Sequence, residues 1–297
     1  MATAAGRGTV GTLPEGLGDA IRSTAGEIAA LLSGAVDSGL PVPGSEWTVG
    51  EAAAHLAQAN ELMADIAAGR QRRHGDGTPQ SLAAANALAL AGFAERGAGP
   101  LAAMIVEQAE AFLGAVDARG TEEPGTLHTP LGPMDLATLG SYLLTHMLGH
   151  GWDLARALGR PHMVDRRRVR LTLPFLIAAM PRVLDASAAA GLTARYEIRL
   201  RGGGAFGVTF TDGRPVVEAR TPDRPDCTIL TEPVAFLLMA LGRRGPWGAM
   251  ARGGVLPWGR RPWLARGPWG AMARGGVLPW GRRPWLAPRF PTLFVAP

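Results

Sequence analysis

The sequence has no lysine: all 30 of its basic residues are arginine. With 41 glycines and abundant alanine, this is the residue usage of a GC-rich genome. Cysteine is nearly absent as well. The lone Cys227 excludes an internal disulfide and fits a reducing cytoplasm. In the strand-like DCTIL it reads as a small buried hydrophobe. No run of about 18 apolar residues occurs, so no membrane span is expected. The opening MATAAGRGTVGTLPEG lacks the apolar stretch of a signal peptide, so no secretory leader is expected. Acid is missing from one region only. Residues 244–297 hold nine arginines and no Asp or Glu, whereas residues 1–243 hold 21 arginines against 25 acids, a net of −4. The formal charge of +5 and the pI near 10.7 therefore come from the tail. That location argues against a nucleic-acid-binding body.

What is present suffices for packed cores: 297 residues, 47% hydrophobic and 19% charged, a length that suggests two domains. Residues 1–13 are small, Gly-rich and expected to be flexible. Leu17, Ile21, Ile28 and Leu31 then share one helical face. PVPGSEW interrupts the pattern. Thr48 followed by Glu51 predicts a capping box, with Trp47 at the staple position. The helix it opens carries His55, Ala59, Leu62, Met63 and Ile66 on one side. RQRRHGDGTP reads as a polar loop in which His74 is solvated. A long Ala/Leu-rich helical stretch follows to about Asp117, with a bend at GAGP. TEEPGTLHTPLGP connects it to a fourth helix from about Met134 to Leu158. Four helices with one long connection predict a bundle over residues 14–160.

From residue 161 the character changes. Residues 166–190 read as one amphipathic helix. YEIRL, AFGVTF, VVEAR and DCTIL then alternate as strands, and Thr231 is placed to cap the short apolar helix EPVAFLLMALG. Helix, meandering sheet and helix predict an α+β domain over residues 161–297.

Chemistry concentrates in THMLGHGWDLARALG. His146 and His150 lie four apart, so both imidazoles stack on one helical face. Leu139, Tyr142, Leu143 and Leu154 share it, which turns both histidines inward, and His55 does the same on the second helix. Three inward imidazoles from two helices suit a divalent metal with open positions, the arrangement of a catalytic rather than a structural site. The alternative is three core histidines satisfied by separate hydrogen bonds. The metal is favoured because unpaired buried imidazoles are costly.

These stretches carry a resemblance. WTVGEAAAHLAQANELM resembles the second-helix signature of DinB-like metal-binding bundles. THMLGHGWDLARALGRP resembles the last helix of the mycothiol-dependent maleylpyruvate isomerase family. YEIRLRGG, PDCTILTEPVAFLLMALGRR and WGRRPWLAPRF resemble the SCP2-type domain that follows it in many members. The resemblance covers the chain from about residue 14 onward. It implies a DinB-like four-helix bundle, an SCP2-like α+β domain, and a metal site on His55, His146 and His150; the divalent metal expected there is zinc. The family pattern admits Glu at the first of the i, i+4 pair; His146 makes this ligand set more neutral.

The implied chemistry is thiol activation. The metal stabilises the thiolate of mycothiol, which adds to an activated double bond; rotation and elimination give the trans product. Transfer of sulfur from mycothiol to an electrophile fits equally well. The substrate is then a small electrophile, and the protein needs no cysteine of its own. Asp153 is placed to orient an imidazole, with a plain helix-surface charge as the alternative. Arg243 and Arg244 are candidates to meet a substrate carboxylate if the second domain closes over the bundle. The expectation is a cytoplasmic monomer or homodimer with no nucleic-acid or membrane partner. The competing class is a non-catalytic small-molecule or lipid-binding protein with a vestigial or structural metal.

Two features mislead. GGGAFG satisfies a dinucleotide-binding pattern, but strand-like sequence lies on both sides, so it reads as a hairpin turn. Residues 244–265 and 266–287 are identical, RGPWGAMARGGVLPWGRRPWLA. Two Gly- and Pro-rich copies do not make a solenoid, which needs about three repeats. Identity even at surface-type positions suggests a duplication of coding DNA, with one copy expected to pack and the other to protrude or be poorly ordered.

Overall fold

The structure of the protein, a computed structural model, describes residues 13–72, 74–120, 125–219, 222–244 and 277–294. The chain divides into two compact units, residues 1–164 and 165–297. All but the last residue of the segment expected to be flexible (1–13), and residues 245–276, which hold nearly all of the first repeat copy and the first half of the second, lie outside the described residues.

In the first unit, α1 (Leu17–Leu32), α2 (Val49–Ala67), α4 (Ala98–Arg119) and α5 (Leu136–Ala157) form the bundle, and α3 (Pro79–Gly92) lies against α2. Helices α1 and α2 each pack on both α4 and α5. Their apolar stripes meet in a core that includes Ile21, Ile28, Leu56, Ile105, Phe112 and Leu143, all fully buried. The burial of so many small residues along α2, among them Ala52, Ala53, Ala57 and Ala64, brings neighbouring backbones close to it.

The stretch expected as one long bent helix is two helices. Phe93 is extended and ends α3. Arg96 bridges the break, its guanidinium donating to Leu90 O at 2.9 Å and Glu95 O at 2.8 Å. Carbonyls that a continuing helix would have used are thus satisfied by a side chain. Gly97 then caps α4, and Pro100 is tolerated in its first turn. The connection before α5 contains a small hairpin, β1 (Leu127–Thr129) with β2 (Gly132–Met134).

The second unit begins with short helices instead of the single one expected: α6 (Arg166–Leu171), α7 (Leu173–Ala179), a 3-10 turn at Met180–Val183 and α8 (Ala186–Ala189). Pro174 and Pro181 explain the division, because each lacks the N–H a continuous helix requires. Strands β3 (Ala194–Leu200), β4 (Ala205–Thr211) and β5 (Arg214–Glu218) form the antiparallel meander. The chain then crosses to the other side of β3, where β6 (Cys227–Thr231) runs parallel to it. A last strand, β7 (Val277–Trp280), closes the order β5-β4-β3-β6-β7.

Residues 201–204 make the turn between β3 and β4, as the strand pattern around GGGAFG required. Gly202, Gly203 and Gly204 have φ of 80°, 113° and 92°, a left-handed run that only glycine adopts freely. Tyr196, Phe206 and Phe210 are buried in the sheet core, and Phe206 meets Phe236 of α9 (Pro233–Ala240). Glu232, one residue beyond the expected Thr231, caps α9 by accepting from Ala235 N at 3.0 Å. Cys227 is fully buried in β6, and burial pushes its thiol up to about 12, so it remains an inert thiol.

Candidate metal centre

The sequence sets up this site through the start of α2. Thr48 accepts from Glu51 N, and the Glu51 carboxylate accepts from Thr48 N at 2.8 Å, closing the capping box. This fixes where α2 begins and therefore which face His55 occupies, two turns along. On α5, Asp135 caps by accepting from Thr138 N at 2.6 Å. His146 and His150, their rings edge to face with centroids 4.5 Å apart, face α2 from there.

The three imidazoles converge. His55 Nε2 lies 3.1 Å from His146 Nε2, and one nitrogen from each of His55, His146 and His150 lies within 4.8 Å of the others. His55 is 5% exposed and the other two are partly exposed. Tetrahedral zinc with nitrogens at roughly 2.0–2.1 Å sets them about 3.4 Å apart. The closest pair already approaches that spacing, and the set as a whole is somewhat wider. No carboxylate belongs to it. Asp153, one turn beyond His150, places Oδ2 3.5 Å from His150 Nδ1.

Three neighbours were not read as functional from the sequence. Trp47 covers the cluster, with ring centroids 4.8 Å from His55 and 5.9 Å from His150. Tyr142 stands edge-on to His146 at 6.4 Å. Burial pushes its hydroxyl well above the usual tyrosine range, so it stays a proton donor. His74, expected to be solvated, instead pairs Nε2 with Asn86 Oδ1 at 2.7 Å. Gln58, His74, Asn86 and Tyr142 line a cavity of about 130 Å³ whose wall also includes His55 and His146. Periodicity reports only which face a residue occupies, so these long-range contacts had no sequence signal beyond the residue types.

Beside the cavity, burial tends to raise Asp65, but hydrogen bonds from Arg70 and Arg72 outweigh it and hold the carboxylate below its ordinary value. Arg72 is thereby neutralised rather than presented as a bare cation. Arg243 and Arg244 belong to the second unit, just past α9, where both backbone N–H groups donate to Leu238 O and the Arg243 guanidinium donates to Leu241 O.

The family described as "Mycothiol maleylpyruvate isomerase N-terminal domain" matches residues 18–155, and the "SCP-2 sterol transfer family" matches residues 178–255. Together they account for most of the chain. Residues 18–155 belong to the mycothiol maleylpyruvate isomerase N-terminal domain family. All three histidines of the cluster fall inside the first match. Among solved structures, the chain is similar to the mycothiol-dependent maleylpyruvate isomerase at 16% identity. That likeness covers 78% of this chain and 90% of the other, with a TM-score of 0.43. A histidine-to-alanine mutant of that enzyme is similar at 15% identity, with the same coverage and a TM-score of 0.44. No curated protein matches. Among the described residues, no helix is long and apolar enough to cross a membrane.

Proposed function

We propose that the protein is a cytoplasmic, metal- and mycothiol-dependent enzyme, an isomerase of the maleylpyruvate type or an S-transferase acting on a small electrophile. The observation that carries this reading is the convergence of three imidazoles from two helices, with no carboxylate among them, in a domain of this family. His55, His146 and His150 would hold the metal, here taken to be zinc. When bound, it supplies Lewis-acid stabilisation of the cofactor's thiolate. The residues around it have separate tasks. Asp153 orients the His150 ring, Trp47 shields the centre from bulk water, and the Tyr142 hydroxyl offers a proton to a polar group in the cavity. Arg243 and Arg244 would meet a substrate carboxylate. The partner is a small molecule, neither nucleic acid nor membrane, and the protein works as a monomer or homodimer.

The test is metal content by elemental mass spectrometry on the wild type and on His150→Ala. The expected result is about one divalent metal per chain, lost in the variant while the helical circular dichroism is kept. Mycothiol-dependent turnover of cis-enedioate substrates or of electrophile panels then separates isomerase from transferase. No metal in the wild type after incubation with zinc overturns the reading. The similarity of residues 178–255 to a sterol transfer family favours one alternative, a lipid or small-molecule carrier with a structural metal. An apolar ligand that co-purifies, with metal present but no thiol-dependent turnover, supports that alternative.

A further inference from the structure

The cavity beside the histidines carries neutral hydrogen-bonding groups, each held in place by a second contact. Gln58 Nε2 donates to Ala89 O at 3.0 Å, which leaves its Oε1 as an acceptor. His74 Nε2 lies 2.7 Å from Asn86 Oδ1. A carboxamide oxygen only accepts, so the neutral imidazole carries its proton on Nε2; His74 Nδ1 is left to accept and Asn86 Nδ2 to donate. Two charged side chains, Glu61 and Arg72, also reach this wall. Among the described residues of the wall Arg72 is the one arginine, and two carboxylates hold it, Glu61 Oε2 at 3.5 Å and Asp65 Oδ2 at 2.7 Å. The loop that carries His74 is pinned on both sides. Arg70 and Arg72 return to Asp65 on α2, and Thr78 Oγ1 donates to Asp76 Oδ1 at 2.7 Å just before α3. Gly75 has φ of 75°, and a Cβ there would meet Ser81 Oγ at 2.8 Å, so the backbone next to His74 turns tightly against the start of α3.

We propose that Gln58, His74 and Asn86 are specificity-determining residues, which receive the electrophile by an uncharged carbonyl or amide group and turn a carboxylate away. The inference rests on the reading above, in which the electrophile reacts beside the three histidines. A neutral carbonyl oxygen finds a donor in Asn86 Nδ2, and an amide finds acceptors as well in Gln58 Oε1 and His74 Nδ1. A carboxylate only accepts. It would meet acceptors it cannot use and the like charge of Glu61, with Arg72 already engaged. Taking an ionised group out of water without a paired cation costs far more than taking in a neutral one that is hydrogen-bonded. The thiolate that the reading places on the metal offsets part of the metal's charge, and the wall decides between a neutral and an anionic group. Any carboxylate of the substrate therefore lies outside this cavity. Size narrows the class further. The volume of about 130 Å³ is close to the roughly 150 Å³ that holds benzene, so the group taken in has about six heavy atoms.

The test titrates the full chain as purified, with mycothiol added, against butyramide and butyrate, an uncharged and an anionic probe of equal size, by ligand-observed NMR. The zinc content of the same sample is measured alongside. Butyramide should bind more tightly than butyrate by roughly tenfold or more. Asn86→Leu, which keeps the volume and removes the amide, should weaken butyramide by about tenfold and leave butyrate unchanged. Glu61→Gln, at a half-exposed side chain, should strengthen butyrate roughly two- to fivefold with butyramide unchanged. Failure of butyramide to bind the wild type, or butyrate binding as tightly, overturns the proposal whatever the zinc content. So does an Asn86→Leu chain that keeps the wild-type preference. If Asn86→Leu does not fold, Glu61→Gln decides in its place, and an unchanged ratio there overturns the proposal. A wild type without zinc overturns the reading of the metal centre instead, and the probe ratio is then judged on the same terms.

Discussion

Thr48 and Glu51 show how a local pair controls a distant site. Their reciprocal bonds fix the start of the helix that carries His55, and the same bonds make the helix sensitive to acid. Hydrogen bonds from the Thr48 backbone and side chain hold the Glu51 carboxyl below its usual range. A carboxylate with a lowered folded-state pKa stabilises fully above its unfolded value, roughly 4.3, and loses that contribution as pH falls through the folded value. Glu51→Gln should therefore flatten the fall in stability below about pH 4.3, measured by urea unfolding at stepped pH. Thr48→Ala should cost about 1 kcal/mol at neutral pH. An unchanged pH profile in Glu51→Gln would show that the box does not set the acid sensitivity of α2. The three histidines were legible because i, i+4 spacing and one-face periodicity are local rules. Trp47 and His74 were not, since what gives them a role is who they meet across the fold: the imidazoles for one, Asn86 for the other.

Among the elements, the approach of the first turn of α2 to the loops that precede α2 and α4 depends on one glycine. A Cβ at Gly50 would meet Arg96 O at 2.8 Å and Ser38 O at 3.2 Å, and Gly50 N itself donates to Ser38 O at 2.8 Å. Alanine is the better helix former by about 1 kcal/mol, yet backbone carbonyls cannot step aside as a side-chain end can. Overpacking of this kind costs typically 1–3 kcal/mol, so Gly50→Ala should be net destabilising and should shift the first turn of α2. A lower melting temperature with weakened zinc binding is the expected pair of readings; a raised melting temperature would show that the two carbonyls give way. The elements read correctly from sequence were those whose apolar stripe and caps agree, α2 and α5 above all. Proline and side-chain capping divided the others: Pro174 and Pro181 in the segment read as one helix over 166–190, and Arg96 between α3 and α4. The parallel placement of β6 beside β3 is a choice of topology between two free sheet edges. Strand alternation alone does not distinguish them.

For the molecule as a whole, the tandem copy dominates the charge, yet none of the three clustered histidines lies in it. Removing residues 266–287 takes away four arginines and lowers the formal charge from +5 to +1. Deleting 244–265 instead yields the same joined sequence, so one variant tests both copies at once. In that variant the seat beside β6 is filled by residues identical to those it holds now, followed directly by PRFPTLF. The contacts to Asp226 and the burial of Phe290 and Leu293 are thereby retained. What changes is the connection after α9, shortened from residues 241–276 to residues 241–254, which removes loop-closure entropy of about 0.8 kcal/mol. The deletion should accordingly leave stability unchanged or raise it slightly, measured as the denaturation midpoint in urea, with metal content unaffected. A large loss would mean that residues 266–287 make contacts their twin cannot reproduce, and that the duplication has become part of the fold.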